Sequence, residues 1–166
     1  MQNRRQFLLA GSMLAMSRML SAAPAGNSSS NASGTAFEVQ HTDAEWRRLL
    51  TGMQYEVLRR GATERAFSSP LNDEHRSGQF SCAGCQLPLF SSKTKFDSGT
   101  GWPSFYAPLE RAVSNVTDTT FGMLRTEVLC RRCGGHLGHV FDDGPRPTGL
   151  RYCMNGVAMT FTPGKA

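Results

Sequence analysis

The stretch Arg125-Thr126-Glu127-Val128-Leu129-Cys130-Arg131-Arg132-Cys133-Gly134-Gly135-His136-Leu137-Gly138-His139-Val140-Phe141 decides the reading of this chain. Short apolar runs stand on either side of a Cys-x-x-Cys turn rich in glycine, too short and too β-branched for helices. The same alternation recurs outward from it. Apolar or alternating runs occur at 79–82, 88–91, 111–115, 122–129, 138–141, 150–154 and 156–161, divided by Gly, Pro, Asp, Asn and Ser clusters. That is the pattern of a small, mainly β, antiparallel domain. The segment Asp142 to Gly149, with Pro145 and Pro147, reads as a loop because proline cannot serve in a central strand.

Upstream the period changes. Thr42-Asp43-Ala44-Glu45 forms a capping box, and Trp46, Leu49 and Leu50 follow at helical spacing, so a short helix is expected over about 43–50. Gly52 is read as its break, with a second short helix over 54–60 ended by Gly61. These helices should cap one side of the β domain.

Residues 1–25 read as a leader. Met1 to Arg5 is basic, Phe7 to Leu20 is mostly apolar, and Ala23-Pro24-Ala25 offers a small-x-small cleavage pattern. The apolar run is interrupted by Arg18 and falls short of the roughly 20 residues of a membrane span. Asn3-Arg4-Arg5-Gln6-Phe7-Leu8-Leu9 resembles a twin-arginine export signal, which implies an exported, periplasmic protein with no stable membrane association once the signal is removed. Residues 26–36, rich in Ser, Asn, Gly and Ala, read as a disordered linker, and 37–163 as the folded domain. The leader holds three of the 18 basic residues and none of the 13 acidic ones, so the formal charge of +5 drops to about +2 without it. With no Lys/Arg cluster elsewhere, nucleic acid is not expected as a partner.

Five cysteines remain to be explained. Cys82, Cys85, Cys130 and Cys133 form two Cys-x-x-Cys pairs separated by 44 residues. Two such turns brought together complete a tetrahedral thiolate site, and a structural Zn²⁺ held by all four cysteines is the reading adopted. Disulfides, a thioredoxin-like redox pair, or His136 in place of one thiolate are the alternatives at this level. Cys153 is left over. Strand alternation in Arg151-Tyr152-Cys153-Met154-Asn155 sets Arg151, Cys153 and Asn155 on one face. Guanidinium, thiol and amide side by side make a poor core, and a neighbouring cation favours the reactive thiolate. A buried core cysteine is the alternative.

Six segments taken together resemble the B-type methionine sulfoxide reductases, over about 37–162. They are Gly61-Ala62-Thr63-Glu64-Arg65-Ala66-Phe67, Cys82-Ala83-Gly84-Cys85, 95–105 (Lys-Phe-Asp-Ser-Gly-Thr-Gly-Trp-Pro-Ser-Phe), Cys130-Arg131-Arg132-Cys133, Gly135 to Phe141, and Arg151 to Asn155. The resemblance implies two antiparallel sheets with short helices, a structural zinc away from the active site, and no organic cofactor. It implies that Cys153 is the nucleophile that reduces the R epimer of methionine sulfoxide in oxidised proteins, passing through a sulfenic acid. His139, with His136 beside it, would protonate the oxygen; Arg151 and Asn155 would order water and tune the thiol. Trp102 would pack on the substrate methyl, with Phe141 lining the same pocket. In one respect the chain departs from the family: the loop position where many members carry a resolving cysteine is Thr100, and there is no sixth cysteine. Regeneration by an external thioredoxin-like or small thiol is therefore expected. The rival functions are an exported zinc-ribbon binding module and a thiol–disulfide oxidoreductase built on one Cys-x-x-Cys pair.

Overall fold

The computed structural model describes residues 37–165; the expected leader (1–25) and linker (26–36) lie outside the described residues. Two helices open the domain, α1 (Asp43–Leu49) and α2 (Gly52–Arg60). Each begins with a complete capping box, Thr42 with Glu45 and Thr51 with Gln54, so in each the N-cap and third-residue amides are satisfied by side chains. Gly52 is the first residue of α2 rather than the break. The break is made by the extended backbone of Leu50 and Thr51, which frees Thr51 to cap. Gly61 ends α2 as expected.

Nine strands follow: β1 (Gly78–Cys82), β2 (Pro88–Ser91), β3 (Lys95–Phe96), β4 (Ser104–Phe105), β5 (Val113–Asp118), β6 (Arg125–Cys130), β7 (His136–Phe141), β8 (Arg151–Met154) and β9 (Met159–Pro163). They form two antiparallel sheets, β2-β1-β9 and β3-β4-β8-β7-β6-β5. The mainly β fold with two sheets and two short helices is as expected.

The sheets meet through aromatic rings. Phe80 of β1 and Phe90 of β2 lie against Phe105 of β4, with centroids 4.9 and 4.3 Å apart. All three are fully buried, with Leu89, Val128, Leu137 and Met154 around them. Burying a phenylalanine side chain contributes about 1.5–3 kcal/mol, so this cluster is the main apolar tie between the layers. On β8 the alternation is clean: Tyr152 and Met154 are buried, while Arg151 and Cys153 face outward. The outward face of the larger sheet is where the chemistry lies. No helix among the described residues is long and apolar enough to cross a membrane.

Candidate active site and metal centre

Cys153 is half-buried, and sheet register fixes its neighbours. It pairs with Ser104 of β4 on one side and His139 of β7 on the other. His139 in turn pairs with Glu127 of β6. Directly opposed residues share a face about 5 Å apart, so hydroxyl, thiol, imidazole and carboxylate run in one row across four strands.

His136 should not belong to that face, since residues three apart on a regular strand point opposite ways. A bulge corrects this. Val128 pairs with Gly138 but Leu129 pairs with His136, so Leu137 is an extra residue that turns its side chain into the core. His136 thereby emerges beside His139, with ring centroids 5.5 Å apart. Its Nδ1 lies 2.5 Å from Glu127 Oε1, and burial pushes its pKa down against the pull of that carboxylate. The four cysteine sulfurs close their cluster without it.

His139 Nε2 is 2.7 Å from Asp118 Oδ2. Asp118 also accepts from the Thr120 hydroxyl and amide and from Arg125, and these bonds, the Thr120 hydroxyl foremost, hold its carboxyl well below the usual carboxylate range. An ionised Asp118 only accepts, so His139 donates to it through Nε2 and keeps Nδ1 for other work. The Arg151 guanidinium forms a bidentate pair with Asp143 at 2.8 Å for both bonds and lies 4.4 Å from the Phe141 ring centre. Burial pushes the Cys153 thiol up, while the Thr100 hydroxyl and the Arg151 charge oppose that rise.

Above the thiol is a cleft of about 170 Å³ walled by Trp102, Phe141, His139, Arg125 and Asn155. A larger groove of about 600 Å³ beside α2 and the 3-10 turn at 70–73 contains neither thiol nor imidazole and has no comparable chemistry. Asn155 behaves differently from the alternation reading. β8 ends at Met154, and Asn155 is buried, donating to Leu137 O and accepting from Glu64 N. Its amide fixes backbone rather than facing solvent beside Cys153.

Glu64 is the residue that sequence reasoning passed over. Its buried carboxylate accepts from the amides of Gly156 and Val157 at 2.6 and 2.9 Å, and its carbonyl accepts from the Trp102 indole at 3.1 Å. One residue thus ties together the Trp102 loop, Asn155 and the turn after Cys153. A buried glutamate carries no local sequence signature, and neither do Asp118 and Glu127, which act through strands distant in sequence.

Gly138 sits where β7 crosses β8. A Cβ built there would stand 2.1 Å from the Cys153 carbonyl oxygen, a clash with backbone that no rotamer relieves. Gly138→Ala is expected to cost about 3 kcal/mol by forcing the strands apart. The melting temperature should fall by roughly 10 °C. A wild-type melting curve would show that the strands are not in the contact described.

The four remaining cysteines close a second site. Cys82 and Cys130 end β1 and β6, and Cys85 and Cys133 sit in the turns that follow. Gly134, at φ +68, makes the left-handed turn after Cys133 that a side chain would resist. All four sulfurs lie within 4.8 Å of one another, with Cys82–Cys133 at 3.8 Å and Cys85–Cys130 at 3.5 Å. Tetrahedral Zn–S bonds of about 2.3 Å require sulfurs about 3.8 Å apart, so the set fits a four-thiolate metal ion. All five cysteines are free thiols, and none of these four lines the Cys153 cleft.

Two antiparallel sheets keep one half-buried thiol apart from a cluster of four cysteines that could hold a metal ion, and the relatives of this chain are reductases by name. The family model for the SelR domain matches residues 50–163. The chain is 59% identical to the peptide methionine sulfoxide reductase MsrB of Thiobacillus denitrificans over 123 residues, 74% of this chain and 93% of that protein. It is 55% identical to the MsrB of Pseudomonas putida strain GB-1 over 127 residues (76% and 97%), and 53% identical to that of Agrobacterium fabrum over 130 (78% and 96%). The chain belongs to the MsrB family of SelR-domain proteins.

Proposed function

We propose that this protein reduces the R epimer of methionine sulfoxide in peptides and proteins, with Cys153 as the nucleophile. The observation that carries the reading is the placement of Cys153 between Ser104 and His139 on the floor of the Trp102 cleft. The Cys153 thiolate attacks the sulfoxide sulfur, and the sulfur–oxygen bond to the substrate breaks. His139, as an imidazolium held through Nε2 by Asp118, gives its Nδ1 proton to the oxygen. With a second proton from solvent the oxygen leaves as water, and Cys153 Sγ is left bonded to the substrate sulfur. Water then attacks Sγ, the sulfur–sulfur bond breaks, and methionine departs, leaving a sulfenic acid on Cys153. Trp102 and Phe141 offer the substrate methyl an apolar wall. Arg151, fixed by Asp143, stabilises the thiolate, and Asn155 anchors the turn that follows its strand.

The thiolate set suits a structural Zn²⁺, which would lock the two knuckles together and take no part in the reaction. Thr100 stands where a resolving thiol would be needed, so a thioredoxin-like protein or a small thiol reduces the sulfenic acid. Residues 1–25 would carry the enzyme to the periplasm by the twin-arginine route, leaving it unattached to the membrane, and nucleic acid has no place in its work.

The test is single-turnover reduction of separated R and S epimers of peptide methionine sulfoxide, resolved by chiral chromatography with dithiothreitol as reductant. Consumption of the R epimer alone is expected. Consumption of neither by folded, metal-loaded protein would overturn the reading. After one turnover without reductant, a disulfide joining Cys153 to another cysteine of the chain would overturn the external-donor step.

A further inference from the structure

The loop that passes over Cys153 contains a chain of hydroxyl groups. Ser104 Oγ donates to Trp102 O at 3.1 Å and lies 2.8 Å from Ser98 Oγ. Ser98 Oγ lies 2.8 Å from Thr100 Oγ1, and Thr100 Oγ1 lies 3.9 Å from Cys153 Sγ. Ser104 is fully buried and directly opposite Cys153 in the sheet, and Ser98 and Thr100 are half-buried. Each hydroxyl has one proton and can also accept.

That inventory permits two polarities. The Trp102 carbonyl has no proton, so it takes the Ser104 proton when the chain runs away from the sulfur. When Cys153 is a thiol, its S–H points at Thr100, Thr100 donates to Ser98, and Ser98 donates to Ser104. When Cys153 is a thiolate, Ser104 turns to donate to Ser98, Ser98 donates to Thr100, and Thr100 donates to the sulfur. Rotation of three hydroxyls reverses the chain without moving a heavy atom.

We infer that Thr100, Ser98 and Ser104 form a switchable hydroxyl relay that donates to Cys153 whenever its sulfur is negatively charged. Thr100 touches the reacting sulfur, Ser104 also faces it from the adjoining strand, and Ser98 is a positioning residue that acts through them. The inference deepens the reductase reading and rests on it for its role in turnover. There an external thiol attacks the sulfur of the Cys153 sulfenic acid, the S–O bond breaks and water leaves, giving a mixed disulfide. A second thiol then attacks the outer sulfur, the S–S bond breaks, and its electron pair leaves on Cys153 as thiolate. The relay stabilises that leaving group, and a better-stabilised thiolate leaves faster.

The other charged or titratable groups facing the thiol are Arg151 on its own strand, His139 on β7 and Arg125 on β6, the last two bonded to Asp118 on β5. None is changed by substitutions in the relay. Hydrogen bonds to a charged form move its pKa by up to a few units, and the 3.9 Å contact belongs to the weak end of that range.

The experiment is alkylation of Cys153 by iodoacetamide against pH, followed by mass spectrometry at the Cys153 peptide in the metal-loaded full chain. Thr100→Val, which keeps the branched shape, is expected to raise the apparent thiol pKa by about one unit, reducing alkylation about tenfold near neutral pH. Thr100→Ser should restore the wild-type profile within about threefold. Ser98→Ala, which never touches the sulfur, should shift it in the same direction by a smaller amount. A wild-type profile in Thr100→Val, no rescue by serine, or no effect of Ser98→Ala would each overturn the relay. The readout is thiol ionisation, so a failure of the reductase reading would appear separately, as wild-type protein with this alkylation profile and no sulfoxide turnover.

Discussion

Cys153→Ser is expected to lower single-turnover reduction of methionine sulfoxide by at least about 10³-fold, because loss of a covalent nucleophile removes the step that all other groups assist. Serine matches the thiol in shape but its hydroxyl is not ionised near neutral pH, and oxygen cannot form a sulfenic acid. The side chain is half-buried, and its hydrogen bond with Thr100 is a long one at 3.9 Å. The substitution should therefore leave the melting temperature within a few degrees and the metal content unchanged. That combination separates this enzyme from a zinc-ribbon binding module, which has no use for the thiol. Activity within a few-fold of wild type would move the chemistry to one of the Cys-x-x-Cys pairs and end the present assignment.

The outward placement of Cys153 and the clustering of Cys82, Cys85, Cys130 and Cys133 were legible from sequence because their signals are local. Cys-x-x-Cys spacing places two thiols on one turn, and strand alternation alone sets Arg151 and Cys153 outward against Tyr152 and Met154. The capping box at Thr42 likewise located α1. What surrounds the thiol was less legible. β3 and β4 are two residues each, too short to show a period, yet β4 supplies Ser104 opposite Cys153. The bulge at Leu137 that brings His136 to the face of His139 exists only in the pairing with β6. Asn155 was assigned by extending alternation one residue beyond the end of β8, where a 3-10 turn begins and the rule lapses. Glu64, Asp118 and Glu127 reach the site from other parts of the chain, and no spacing rule connects them to Cys153.

Removing the metal should be as damaging to the fold as Cys153→Ser is to the chemistry. The knuckles belong to different sheets, Cys82 at the end of β1 and Cys130 at the end of β6, so an ion shared by them joins layers that no disulfide ties together. The helices rest on the same knot: a Cβ at Gly84 would meet Trp46 and Leu58 at 3.5 and 3.6 Å, and one at Gly135 would meet Leu58 at 2.9 Å. Loss of the ion would thus release the packing of α1 and α2 as well as the sheet junction. Structural zinc contributes about 10–16 kcal/mol in small peptides, against a total stability of roughly 5–15 kcal/mol for an ordinary domain. Even a fraction of that is decisive here. Chelation, or Cys130→Ser, is expected to abolish the cooperative thermal transition or lower it by more than about 15 °C. Mercurial titration of the wild-type chain should release one zinc per chain in step with loss of the circular dichroism signal. Metal-free protein that melts normally and carries a reversible disulfide between the knuckles would make them a redox pair, and would give the thiol–disulfide oxidoreductase the stronger claim on this fold.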